Sequence, residues 1–324
     1  MARLRLVLVL LGAVLLSTPG TAAEGTEPES ITITTASPGG TYYPYGQGLA
    51  MLLTKYVGIT FTDQATQGPV QNVLLLEQRK AMLGLVTMGV ALQAWNGTGW
   101  AKGTQYRSMR ALFPMFDTPF HFAAPKRLNL ASLSAFAGKR IADGPKAGTA
   151  GTYFPEVFKA LDVPAVLRNG AWEALVRLVA TGELDGMAMA GGAPLPDVAA
   201  LDAKDPLDFI QPSLEQVALL RTRLPELTPS LIPSGTYPSL HEDYHTIGLY
   251  NFAIIHPDVS DDLAYRFVKA VFEHHQELVS AHPAAKETVP VNLDRDTFLP
   301  LHPGAARYYR EIGVAIPPAI EPTP

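Results

Sequence analysis

Three times in this chain a short β-branched or apolar run leads into a glycine-rich loop and then into apolar residues at helical spacing. That order limits the fold more than any other feature of the sequence. The first unit runs from Ile31-Thr32-Ile33-Thr34-Thr35 through Ser37-Pro38-Gly39-Gly40-Thr41 to Leu49, Leu52, Leu53 and Tyr56. In the second, Phe61 to Ala65 reads as a strand, and Gln67-Gly68-Pro69 sets a proline where a helix begins. Val70, Val73 and Leu74 follow, then an apolar strand from Leu83 to Met88. The third starts at Lys139-Arg140-Ile141-Ala142, continues through the loop Gly144 to Thr152 and becomes helix-like as far as Leu161. Trp172, Leu175, Val176 and Val179 add another apolar stripe, closed by Gly182 before a strand at Gly186 to Ala190. Strands that alternate with helices pair in parallel through crossovers, so the chain reads as an α/β protein.

Arg3 and Arg5 precede the apolar run Leu6 to Leu16, and Thr21-Ala22-Ala23 offers small residues for cleavage. Residues 1–23 therefore read as a signal peptide, since the apolar run falls short of the ~20 helical residues that span a bilayer. Cleavage would take the net charge from -5 to -7, which argues against nucleic acid as a partner. The sequence contains no cysteine, so it has no disulfide framework, no thiolate metal site and no cysteine nucleophile. Export without an anchor points to a bacterial periplasm. A monomer is expected, with neither cofactor nor metal.

The 324 residues suggest about two domains. Phe120 to Ala124 and Thr246 to Ile255 are extended segments that bracket a middle portion with strand and helix units of its own. Read as hinges, they divide the chain into a discontinuous first lobe, residues 24–119 and 247–324, and a second lobe, residues 120–246. Ser260 is placed to cap a long helix with Asp261 and Asp262 in its first turn and Leu263, Phe267, Val271 and Leu278 on one face. The proline-rich tail after Ala315 reads as frayed.

Each glycine loop ends where a helix starts, and a helix N-terminus presents unpaired N–H groups at the positive end of its dipole. In open α/β sheets such loops gather at the carboxyl ends of the strands. Loops 37–41, 67–69 and 144–152 are thus expected to converge on a small carboxylate, lined by Thr41, Gln67, Thr149, Thr152 and backbone amides. Tyr42, Tyr43 or Trp172 would wall the pocket. An amino acid would further need an acidic partner for its ammonium, for which Asp117 and Asp143 are candidates; a keto acid would not.

Nucleotide and esterase fingerprints are missing: Gly144 to Thr152 lacks a Gly-Lys-Ser/Thr ending, Gly97-Thr98-Gly99 lacks a third glycine, and there is no G-x-S-x-G. One enzyme motif matches letter for letter, His241-Glu242-Asp243-Tyr244-His245, the H-E-x-x-H of zinc peptidases. It requires a helix, yet Pro233, Gly235 and Pro238 lie just before and Gly248 just after. An exported zinc metallopeptidase is kept as the alternative reading. His274 reads as packed, His275 as solvent-facing, and His282 and His302 as turn residues before proline.

Six segments together carry a resemblance: Ser37-Pro38-Gly39-Gly40-Thr41-Tyr42-Tyr43-Pro44, Gln67-Gly68-Pro69-Val70-Gln71-Asn72, Gly191-Gly192-Ala193-Pro194, Ile232-Pro233-Ser234-Gly235-Thr236-Tyr237, His282-Pro283-Ala284-Ala285-Lys286 and Leu301-His302-Pro303-Gly304-Ala305. From about Ile31 to Ile316 the chain resembles the TAXI-type solute-binding proteins of TRAP transporters. The resemblance implies a two-lobed type II periplasmic-binding-protein fold: two mixed, mostly parallel sheets flanked by helices, with a ligand cleft between the lobes. It also implies a small organic anion as ligand (2-oxoglutarate, glutamate or glutamine), TRAP membrane subunits as partners, and no catalytic residues. Gly148-Thr149-Ala150-Gly151-Thr152 stands where many relatives carry Gly-Ser-Gly-Thr. The expected ligand-contacting residues are Gly40, Thr41, Tyr42, Gln67, Asn72, Met88, Thr149, Thr152, Tyr153 and Gly192.

Overall fold

The structure is a computed structural model and describes residues 28–322; the expected signal peptide, residues 1–23, lies outside them. Strand β1 (Ser30–Thr34) is followed by helix α1 (Tyr42–Val57), β2 (Thr60–Gln64), α2 (Pro69–Glu77), β3 (Leu83–Thr87) and α3 (Met88–Asn96). The long strand β4 (Arg110–Pro125) leads to β5 (Arg140–Ala142), α4 (Thr149–Ala160), β6 (Val166–Arg168), α5 (Trp172–Ala180) and β7 (Gly186–Ala190). Next come α6 (Pro196–Asp202), β8 (Leu207–Phe209), α7 (Leu214–Arg223), β9 (Thr228–Ile232) and a second long strand, β10 (Tyr244–Ile255). The chain ends with α8 (Asp261–Glu273), α9 (His275–Ala281) and α10 (Pro303–Glu311).

The expected strand-loop-helix units are present, and their ladders are parallel: β1 pairs with β2 and β3, and β5 with β6 and β7. Every ladder made by β4 or β10 is antiparallel. These two strands carry the chain between the halves, and the hydrogen-bonded order β2-β1-β3-β10-β4-β7-β5-β6 runs unbroken through them, so the two sheets are joined. Strand β3 is buried along its whole length and lies between β1 and β10 in the sheet. The register between β4 and β10 slips between Tyr250 and Phe252, where Tyr250 faces Asp117 and Phe252 faces Pro114. That irregularity bends the pair between the two halves.

Helix α1 buries Tyr45, Leu49, Leu52 and Leu53, one helical face, against the sheet. Pro69 opens α2, where its missing N–H costs nothing. The Ser260 hydroxyl accepts from the Leu263 N–H at 3.3 Å and caps α8, with Asp261 and Asp262 in the first turn. Two expectations need correction. The single long C-terminal helix breaks at His274, and Leu278 is buried from the separate helix α9. The tail is not frayed: residues Pro318–Ile320 form a 3-10 turn, Ile320 is fully buried, and its carbonyl accepts from the Leu301 N–H at 2.9 Å. One apolar side chain anchors a segment whose prolines alone would leave it loose. Among the described residues no helix is long and apolar enough to cross a membrane.

Candidate functional site

Four helix N-termini face one cavity between the two halves. From the first half it is lined by Ser37, Gly40, Thr41 and Tyr42 at the start of α1 and by Gln67, Gly68 and Pro69 at the start of α2. From the second come Pro145, Gly148, Thr149 and Ala150 at α4, Trp172 at α5, and Ala190 and Gly191 at the end of β7. Phe116 and Thr118 of β4 form its floor. The loops 37–41, 67–69 and 144–152 therefore meet in space. About 40 Å³ of the cavity is open to the centres of water molecules. By the ~10–15 Å³ each water requires, that is room for about three.

The cavity is lined by amides, hydroxyls, one side-chain amide and aromatic faces, with no charged residue. Gly148 has no side chain to cap α4, and the first amides of that helix, at Thr149 and Ala150, lack an acceptor among the described residues. Thr41 occupies the N-cap position of α1, yet its hydroxyl donates across the cleft to the Gly192 carbonyl at 2.7 Å. The Ser37 hydroxyl is buried without a partner. Such an array stabilises an anion by dipoles and N–H groups. It includes no imidazole or carboxyl group to act as general acid or base.

Tyr42 is positioned from beneath. Its hydroxyl donates to Asn251 Oδ1 at 2.5 Å, while Asn251 Nδ2 donates to the Phe116 carbonyl at 2.7 Å and to Thr118 Oγ1 at 2.5 Å. Burial pushes the Tyr42 phenol well above its ordinary value, so it stays a neutral hydroxyl. Glycine is demanded at two places. A Cβ on Gly68, whose φ is +117°, would lie 2.9 Å from the Gly148 Cα across the seam. A Cβ on Gly144 (φ +74°) would lie 2.4 Å from the Trp172 ring.

The halves also touch where Thr87 Oγ1 and Thr149 Oγ1 share a hydrogen bond at 3.0 Å and the Val70 N–H donates to the Ala147 carbonyl at 3.2 Å.

Of the expected ligand-contacting residues, Gly40, Thr41, Tyr42, Gln67 and Thr149 line this cavity. Asn72 does not: it is fully buried, and its amide donates to the Thr35 and Leu85 carbonyls at 2.7 and 2.8 Å and accepts from Thr66. Met88, the first residue of α3, lies outside the lining. The Thr152 hydroxyl donates to the Gly148 carbonyl at 2.8 Å, within its own helix, and Thr152 faces a separate outer chamber. Tyr153 donates to Glu226 at 2.9 Å, its tip against Gly89. Gly192 borders another chamber, and only its carbonyl turns back to Thr41.

Neither acidic candidate reaches the cavity. Asp143, pushed up to about 6 by burial, accepts from Asn169 at 2.9 Å. Asp117, pushed up to about 7 by burial, accepts from Ser230, and its N–H donates to Glu287 at 3.0 Å. Sequence reasoning missed Phe116, Thr118, Asn251 and the Ser37 hydroxyl; a lone asparagine between Tyr250 and Phe252 was the available signal.

The H-E-x-x-H segment is not helical: residues 241–243 are irregular, and Tyr244 and His245 open β10. Without a helix the two imidazoles do not share a face, and among the described residues no three or more His, Asp or Glu side chains group to hold a metal ion. His282 and His302 act as caps, accepting from the Ala284 and Gly304 amides. His274 stacks on Tyr56, and His275 meets the Ala285 carbonyl at 2.5 Å.

The model of the NMT1-like family matches residues 33–313. This chain belongs to that family. Among solved structures, the NMT1-like chain is similar to MatC from Rhodopseudomonas palustris with bound malate (TM-score 0.57, 10% identity, 87% of this chain and 96% of that one). It is also similar to the periplasmic binding protein BugD (TM-score 0.55, 12% identity, 89% and 99%) and to a periplasmic transporter structure (TM-score 0.53, 12% identity, 87% and 92%). These likenesses show a periplasmic-binding-protein fold, the α/β architecture expected from the sequence.

Proposed function

We propose that this protein is an exported solute-binding protein that captures a small carboxylate between its halves and delivers it to membrane subunits of a transporter, without chemical change. The observation that carries this reading is the cavity itself: four helix N-termini from both halves, neutral donors, and no charged residue in the lining. The halves act as lobes, divided as 24–119 with 247–324 and as 120–246, and β4 and β10 supply the hinge. Ligand contacts from both lobes favour closure, since a ligand shifts a conformational equilibrium only by its differential affinity for the two states.

The sequence motifs favour a TAXI-type subunit of a TRAP transporter, acting in the periplasm as a monomer. Gly40, Thr41, Tyr42, Gln67 and Thr149 are the proposed contacts, joined by the Ser37 hydroxyl. The ligand is a small acid, and the charge-free lining favours a 2-oxo acid such as 2-oxoglutarate over glutamate, because no carboxylate lines the cavity to meet an ammonium. A thermal-shift screen of the mature protein against acetate, pyruvate, 2-oxoglutarate, malate, glutamate and glutamine tests the reading. A binder at a hundredfold excess over its Kd stabilises by about 2.7 kcal/mol. If no acid raises Tm, the carboxylate reading fails; if only the amino acids do, the preference for an oxo acid is wrong.

A further inference from the structure

Beside this cavity lies a second, larger chamber with about 530 Å³ open to the centres of water molecules. Gln67 borders both spaces, and the seam formed by Gly68 against Gly148 and by Val70 against Ala147 separates them. The outer chamber also draws its walls from both halves: Trp100 and Lys102 beyond α3 on one side, Lys146 and Glu156 at α4 on the other. Glu156 pairs with Lys159 at 3.8 Å. Lys102 and Lys146 have no carboxylate partner among the described residues and are exposed to solvent. They come from opposite sides of the cleft.

We infer that this outer chamber is an anion-capture station, in which Lys102 and Lys146 draw a carboxylate to the open cleft before the seam shuts behind it. The inference rests on the proposed capture of a carboxylate in the inner cavity. The chain as a whole is acidic, with a net charge of -5, so its general field repels an anion. A cationic mouth reverses that repulsion where the cleft opens. The inner cavity, without charge, then holds the ligand by geometry. Steering by fixed charges of this kind raises association rates by about 10-fold or more and fades as salt shortens the screening length. Lys102 and Lys146 thereby govern how fast the ligand arrives and have little part in how long it stays.

Two measurements with 2-oxoglutarate as the probe test this. In stopped-flow tryptophan fluorescence, the Lys102→Gln/Lys146→Gln double variant should bind about tenfold more slowly than wild type at low salt. The two proteins should converge at high salt, with dissociation rates within about twofold. An unchanged association rate, or a loss confined to dissociation, overturns the inference. In the second measurement the lysines are dimethylated with ¹³C, which keeps their charge, and 2-oxoglutarate is titrated while the methyl signals are followed. Signals assigned through Lys102→Arg and Lys146→Arg should move together, ahead of the other lysines. A uniform response of all lysines overturns the capture station whatever the inner cavity does. Selective shifts with no fluorescence change in wild type support the station and count against the inner-cavity reading alone.

Discussion

The Thr41 hydroxyl, at the start of α1, donates to the Gly192 carbonyl, just past the end of β7, at 2.7 Å. This bond joins the two halves at the edge of the cavity, and it diverts a threonine from the capping role its position would otherwise give it. In Thr41→Val the closed form would bury an unsatisfied carbonyl, at a cost of ~1–3 kcal/mol, whereas in an open form water would satisfy it. Ligand affinity should fall about tenfold or more by calorimetry, with Tm of the unliganded protein little changed. Undiminished affinity would show that the link contributes nothing to closure.

Gly68→Ala places a methyl group at the seam and strains a backbone held at φ +117°. The variant should fold but remain open, so that small-angle scattering shows no compaction on adding a ligand that compacts wild type. Compaction equal to wild type would mean that the seam adjusts.

Asn72 is a structural residue, so Asn72→Leu should act on stability. It takes the Asn72 amide from the Leu85 carbonyl, at a cost of ~1–3 kcal/mol, while the Thr66 hydroxyl at 3.0 Å still reaches the Thr35 carbonyl, and urea unfolding should register a loss of about 1–3 kcal/mol. The folded fraction should keep wild-type affinity; a selective loss of binding would return Asn72 to the site.

Asp296 is pushed up to about 7 by burial, against an ordinary value of 3.8. The native state therefore keeps this proton where the unfolded chain has released it, and the stability it lends is present below about pH 4 and lost as pH rises to about 7. His121, lowered to about 4 by burial, acts in the opposite direction between about pH 6.5 and 4. The comparison is thus wild type against Asp296→Asn. The variant should gain on wild type by a few kcal/mol between pH 5 and 8 in urea unfolding, and a constant difference would refute the assignment.

The strand-loop-helix units were legible because their signals are local: β-branched alternation, Pro69 at a helix start, Ser260 at a cap. Convergence of the loops followed from a general property of α/β sheets. The first half of β4 was hidden, because proline weakens a strand signal and two prolines lie within it, Pro114 at the register slip and Pro119 beside Gly248. Asn251 was hidden for another reason. Its partner Tyr42 is 209 residues away in sequence, and no local pattern encodes such a meeting. Thr152 misled in the opposite sense, since its hydroxyl satisfies its own helix.

Strand β10 lies in the middle of the first sheet, between β3 and β4, although 157 residues separate Thr87 from Tyr244. During synthesis the opening third of the polypeptide must therefore wait for residues near 255 before its central ladder can form. So distant a pairing carries a large loop-closure entropy and gives this sheet a high contact order, the property that slows folding most.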